Sequence, residues 1–66
     1  MIHPTAIISK KAKIHKNVKI GPFCIIDDNV EIREGTELIS NVHLSGNTTI
    51  GVNNVFFPFS TIGLIP

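Results

Sequence analysis

Val18-Lys19-Ile20-Gly21-Pro22-Phe23-Cys24-Ile25-Ile26 sets two aliphatic residues, Ile20 and Ile26, six positions apart, each preceded two places earlier by a small or β-branched residue, Val18 and Cys24. Extending that step in both directions gives Ile2, Ile8, Ile14, Ile20, Ile26, Ile32, Leu38, Leu44, Ile50, Phe56 and Ile62 without interruption. Ile, Leu, Val and Phe fill 24 of the 66 positions, so eleven successes in one phase arise by chance about once in ten thousand sequences. The repeat is therefore structural. Two places before each from Ile8 onward stand Ala6, Ala12, Val18, Cys24, Val30, Thr36, Val42, Thr48, Asn54 and Ser60, of which only Asn54 is neither small nor β-branched.

An α-helix advances about 100° per residue, so a step of six scatters the apolar set over three sides and makes no stripe. In a strand, alternate residues share a face. The small residue and the aliphatic one two places later then both point inward, and the residue between them points out. Each hexad reads as a short strand followed by a corner. Three places after the aliphatic stand Asn17, Asn29, Gly35, Asn41, Asn47 and Asn53, residue types that most easily take positive φ.

A longer period lies inside the first. Pro4 and Pro22 are 18 residues apart, Pro22 and Pro58 are 36 apart, and so are Phe23 and Phe59. Lys10 with Asp28, Lys13 with Glu31, Lys16 with Glu34 and Lys19 with Glu37 are each separated by 18. Three hexads thus make one coil, and each lysine stands beside an acid of the next coil at about the 4.8 Å strand spacing. The spacing predicts an all-β chain: a three-sided parallel solenoid of a little under four coils, residues 1–66 forming one unit with no second domain. Its inward columns are Ile2, Ile20, Leu38 and Phe56; Ile8, Ile26, Leu44 and Ile62; and Ile14, Ile32 and Ile50.

The three sides differ. One shows Lys13, Glu31 and Thr49, a second Lys19, Glu37 and Val55, and the third Ile7, Ile25, His43 and Thr61 beside a corner bearing Thr5, Phe23, Asn41 and Phe59. An apolar face next to two charged ones marks a partner surface. A chain of 66 residues buries only about 60% of its unfolded surface, so association would supply stability that its own core lacks. The end of the repeat, around Val55, Phe57, Ile62 and Leu64, is expected to leave an unpaired apolar edge.

Composition excludes several classes. One cysteine, Cys24, forms no internal disulfide, and a reducing compartment, the cytoplasm, is the expectation. Met1 to Ser9 lacks the basic start and apolar stretch of a signal peptide. Residues 38–66 carry no charged side chain, yet Asn41, Gly46, Asn47, Gly51, Asn53 and Asn54 interrupt them, so no membrane insertion is expected. Lys10, Lys11, Lys13, Lys16 and Lys19 look like a phosphate-binding patch. However, acids of the next coil flank four of them, no aromatic interleaves, and net charge is +1. Nucleic acid is therefore not an expected partner. His3, His15 and His43 fall at two different corners and a flat face, so no metal site forms within one chain, and no orienting partner or cleft is legible around any of them. Cys24 occupies an inward position and reads as a core thiol. Gly21, Gly51 and Gly63 follow core isoleucines as turn residues, with no helix to make a phosphate loop.

The hexads Ile20-Gly21-Pro22-Phe23-Cys24 and Ile50-Gly51 onward resemble those of the bacterial hexapeptide-repeat transferases, which form left-handed parallel β-helices. The left hand comes from the resemblance alone, since ordinary parallel crossovers are right-handed. The ordered set narrows the match: Ile2-His3-Pro4-Thr5-Ala6-Ile7-Ile8, then Val18 to Cys24, then Val30-Glu31-Ile32 with Gly35-Thr36, then Gly46-Asn47-Thr48-Thr49-Ile50-Gly51, and Phe59-Ser60-Thr61-Ile62-Gly63. It is similar to the start of the acyltransferases that move a 3-hydroxyacyl group from acyl carrier protein to UDP-N-acetylglucosamine in lipid A biosynthesis. Asp27, Arg33 and Phe57 stand where that family often has glycine. The resemblance implies a cytoplasmic homotrimer, with acyl carrier protein and UDP-N-acetylglucosamine as partners of the full-length family; the apolar side bearing Ile7, Phe23 and Ile25 is where like chains are expected to meet. It places the catalytic histidine and most substrate contacts in coils beyond Pro66, so it implies no catalytic, cofactor-binding or metal-ligating residue here. Two alternatives stay open: the related N-acyltransferase acting on acylated UDP-glucosamine, and a truncated, non-enzymatic assembly module.

Overall fold

The computed structural model describes residues 1–63. Among them are ten short strands: β1 (Ile7–Ile8), β2 (Lys13–Ile14), β3 (Lys19–Ile20), β4 (Ile25–Ile26), β5 (Val30–Ile32), β6 (Glu37–Leu38), β7 (His43–Leu44), β8 (Thr48–Ile50), β9 (Val55–Phe56) and β10 (Thr61–Ile62). Each hexad yields one strand because only its inward aliphatic and the residues beside it run extended before the chain turns. The strands form three parallel sheets, ordered β1-β4-β7-β10, β2-β5-β8 and β3-β6-β9. No strand pairs with its neighbour in sequence; each pairs with the third one along.

The register is the 18-residue coil. Ile7 pairs with Ile25, Lys13 with Glu31 and Lys19 with Glu37. All three expected columns stand. Ile2 bridges Ile20, which pairs with Leu38 and so with Phe56. Ile8, Ile26, Leu44 and Ile62 form the second column, and Ile14, Ile32 and Ile50 the third. The backbone bonds between coils run both ways: Ile7 N–H donates to Cys24 O at 2.8 Å, Ile25 N–H to Val42 O at 2.9 Å and His43 N–H to Ser60 O at 3.0 Å, while Ile20 N–H donates back to Met1 O at 2.8 Å and Asn41 N–H to Pro22 O at 3.0 Å. Parallel ladders of this kind satisfy nearly every backbone group of a coil through the coil above or below.

The core is one column of side chains per side. Ile26, Ile32, Leu38 and Leu44 are fully buried with Val30, Val42, Thr36 and Cys24, and Cys24 is a buried free thiol. The inward polar residues close their own hydrogen bonds at the corners. Thr36 Oγ1 donates to Gly51 O at 2.7 Å and accepts from Asn54 N–H at 3.2 Å, while Thr48 Oγ1 donates to Ser45 O at 2.8 Å. Burial falls off at both ends, where Ala6, Ile8, Ala12, Ile14, Phe56 and Ile62 are only partly covered. Val55 and Phe57 are exposed, Ile62 is partly covered, and Leu64 lies outside the described residues.

The corners correct the sequence reading in one place and extend it in another. Asn17, Asn29, Gly35, Asn41 and Asn53 take positive φ as expected, but Asn47 does not. Gly46, one residue earlier, takes φ 75° instead, because a glycine adopts that region with no Cβ cost and strand β8 begins directly after Asn47. Phe23 and Phe59, which share the hexad phase of those asparagines, also sit at positive φ, 60° and 66°. The charge ladder is correct in register and not in contact. Lys13 and Lys19 stand opposite Glu31 and Glu37, yet the ion pairs of the described residues involve His15, His43 and Arg33 rather than lysine. An exposed lysine pair is worth only about 0 to 1 kcal/mol, which does not hold two long side chains together against solvent.

Candidate functional site

The sheet β1-β4-β7-β10 presents Ile7, Ile25, His43 and Thr61 outward, each directly above the last. Ile7 is 65% exposed and Ile25 36%. The corner beside it stacks Thr5, Phe23, Asn41 and Phe59. Thr5 Oγ1 accepts from Phe23 N–H at 3.0 Å, and Asn41 O accepts from Phe59 N–H at 3.1 Å. These bonds help fix the two phenylalanine backbones in the left-handed region, and the rings project from it, 61% and 81% exposed. A bulky residue there costs about 1 to 2 kcal/mol relative to glycine. The chain therefore bears strain to hold two rings in solvent beside an apolar sheet, an arrangement with no benefit to an isolated coil.

Among the described residues, His43 is the one polar side chain centred on this face with a charged partner. Its Nε2–H donates to Asp27 Oδ2 at 3.2 Å, both groups being half-buried. A shallow groove runs beside the pair, lined by Ser9, Asp27, Asp28, Asn29 and Gly46 together with Ile7, and Ser9 Oγ donates to Asp28 within it. On the neighbouring side His15 Nε2–H donates to Glu31 Oε2 at 2.7 Å, its Nδ1 lies 3.6 Å from Glu34, and Arg33 approaches Glu31 at 4.0 Å. The hydrogen bond from His15 holds the Glu31 carboxyl below its ordinary range; Arg33 and Lys13 add attraction, against partial desolvation. His3 Nδ1 stands 2.9 Å from Thr5 Oγ1.

The structure keeps the three histidines apart, and no group of metal-ligating side chains gathers among the described residues. It corrects the expectation that no histidine has an orienting partner: Asp27 holds His43, and Glu31 holds His15. Both pairs are 16 residues apart, the diagonal neighbour across an 18-residue coil. That spacing was available in the sequence. Chemically, the Asp27–His43 pair is an oriented base beside an open groove, but among the described residues His43 meets no hydroxyl or thiol to activate. The geometry is that of a contact surface carrying a fixed polar pair. No helix among the described residues is long and apolar enough to cross a membrane.

Comparison with known proteins agrees with this architecture. Residues 5–40 match the family model described as bacterial transferase hexapeptide (six repeats). The acyl-(acyl-carrier-protein)–UDP-N-acetylglucosamine O-acyltransferase of Thermodesulfovibrio yellowstonii is 60% identical over 65 residues, covering 98% of this chain and 25% of that protein. The enzymes of the same name from Psychrobacter sp. and Rickettsia canadensis are 53% identical over 62 residues and 49% identical over 65. A crystal structure of UDP-N-acetylglucosamine acyltransferase superposes with a TM-score of 0.97 at 50% identity, covering 100% of this chain and 26% of that one. The chain thus spans about a quarter of the length of these relatives. A mirror-image coil would not superpose in this way, so the hand is theirs. The unbroken hexads, the matching family model and the superposition together show that the chain belongs to the bacterial hexapeptide-repeat transferases and folds as their left-handed parallel β-helix.

Proposed function

We propose that this chain is the N-terminal β-helix of a cytoplasmic acyltransferase that moves a 3-hydroxyacyl group from acyl carrier protein to UDP-N-acetylglucosamine in lipid A biosynthesis. Its own task in that enzyme is assembly: like chains meet around a threefold axis through the side bearing Ile7, Phe23 and Ile25. The observation that carries the reading is identity of 49% to 60% with relatives of that name along 98% of the chain. Those names favour transfer to an oxygen over the related transfer to nitrogen. The exposed apolar sheet and its strained aromatic corner support the assembly role, since a heterologous contact that closes into a ring covers the same face on every copy. Catalysis is assigned to no residue of 1–66. Acid–base catalysis by a positioned side chain contributes about 10² to 10⁴-fold, and the resemblance implies that the group supplying it lies in coils beyond Pro66.

A chimera tests the reading. Residues 1–63 replace the matching quarter of the Thermodesulfovibrio yellowstonii enzyme, and product formation from 3-hydroxyacyl carrier protein and UDP-N-acetylglucosamine is followed. The chimera should be trimeric and active, and the 66-residue chain alone should give no product. A folded chimera without turnover, or turnover by the chain alone, overturns it.

A further inference from the structure

Charge is segregated along the solenoid axis. The first coil, residues 2–19, carries Lys10, Lys11, Lys13, Lys16 and Lys19 and no acid; the second, residues 20–37, carries Asp27, Asp28, Glu31, Glu34 and Glu37 with the single Arg33. All five lysines are exposed. The acids are mostly tethered within the protein: Asp27 to His43, Asp28 to Ser9, and Glu31 and Glu34 to His15. The lysines have no carboxylate within ion-pair distance among the described residues. The anchored carboxylates therefore stay one coil away, while the lysine stems are free to swing toward the end of the prism.

Direction of approach decides what such an arrangement attracts. A partner lying along a charged side meets lysine and acid one strand spacing apart, about 4.8 Å, and the two largely cancel within a Debye length of about 10 Å. A partner approaching the first coil end-on meets the lysines first. Met1 and Ile2, exposed at 93% and 47%, stand at that same end and add apolar contact, which a lipid headgroup layer accepts and a nucleic acid does not. No aromatic side chain lies between the lysines to stack a base.

We propose that the basic first coil docks end-on onto an anionic lipid bilayer, as a peripheral surface contact without insertion. The inference is independent of acyl transfer. Parallel copies around a threefold axis would turn their first coils toward the same plane and multiply the contact.

Co-sedimentation of the full chain with vesicles tests it, using about 30% phosphatidylglycerol in phosphatidylcholine against phosphatidylcholine alone. Binding to the anionic vesicles only, lost at about 0.5 M salt, is expected. The triple variant Lys10→Gln, Lys13→Gln, Lys16→Gln should bind on the order of a hundredfold more weakly, roughly fivefold per lysine. The triple lysine-to-arginine variant, with its circular dichroism unchanged, should bind as the parent does. Equal binding to neutral vesicles, or a preference for RNA or polyglutamate over the anionic vesicles, overturns the proposal. So does unchanged vesicle binding by the glutamine variant, even one that aggregates more readily, because the lysines would then serve only the solubility of the chain.

Discussion

Phe23 carries the sharpest conflict between what a residue prefers and where the coil puts it. Its backbone sits at φ 60°, the same region as Asn17, Asn29, Asn41 and Asn53, but asparagine reaches that region by local hydrogen bonding and a phenyl ring has no such compensation. Replacing Phe23 with Asn should raise the stability of the isolated chain by about 1 kcal/mol, since strain is relieved and little buried surface is lost. The same change should weaken self-association. Urea melts at low protein concentration and light scattering at high concentration measure the two effects; a destabilised Phe23→Asn chain, or unchanged association, would show that the ring is held for the fold and not for a partner. Asparagine and glycine announce five of the corners in the sequence by their chemistry. Phe23 and Phe59 announce theirs only by hexad phase, because a bulky side chain is an outlier at positive φ. The partners of the acids are hidden for a related reason. Backbone register places Lys13 opposite Glu31, but a side chain can lean to the diagonal, and His15 at 2.7 Å is the closer donor.

Strands of two or three residues have almost no intrinsic stability, so each element depends on how closely it can approach the coil beyond it. Gly21 and Gly51 follow core isoleucines in the same motif, and their surroundings separate them. A Cβ built on Gly21 would stand 1.7 Å from Ile39 O, a backbone atom of the next coil, whereas one on Gly51 meets only Asn54 Nδ2 at 3.5 Å. In the 66-residue chain, Gly21→Ala should therefore lower stability by about 1 to 3 kcal/mol through forced displacement of the neighbouring coil. Gly51→Ala should be within about 0.5 kcal/mol of the parent. Thermal melts of the two variants decide it; equal losses would mean that close approach to Ile39 O does not set the cost at Gly21. The columns Ile20–Leu38 and Ile26–Leu44 are legible in the sequence because a six-residue period on an alternating strand leaves only one inward set. Periodicity is blind to hand, however, since a left and a right coil bury the same residues, and only the superposition separates them.

For the whole molecule, the proposed interface on the side formed by β1, β4, β7 and β10 allows self-association to be tested apart from folding. Ile25→Lys places a charge at the centre of the apolar face, and the loss of a central anchor typically costs an interface about 2 kcal/mol or more, roughly thirtyfold in affinity. Thr49→Lys puts the same charge on the side that also bears Lys13 and Glu31 and should leave association unchanged. Size-exclusion chromatography with light scattering on both variants distinguishes them, and equal effects would remove the proposed interface. The partly covered ends of the core would gain from neighbouring coils rather than from this contact, which is lateral. The fixed pairing of each strand with the one 18 residues on, as in Ile7 with Ile25 and Ile25 with His43, also constrains how a gene for such a protein can change length. A codon lost within a strand exchanges inside for outside in every later hexad until the phase is restored. A corner can absorb extra codons as an outward loop. Lengthening the prism itself without disturbing any column takes a whole coil, 18 codons, so duplication of that unit is the smallest heritable step within the prism that keeps every column in register.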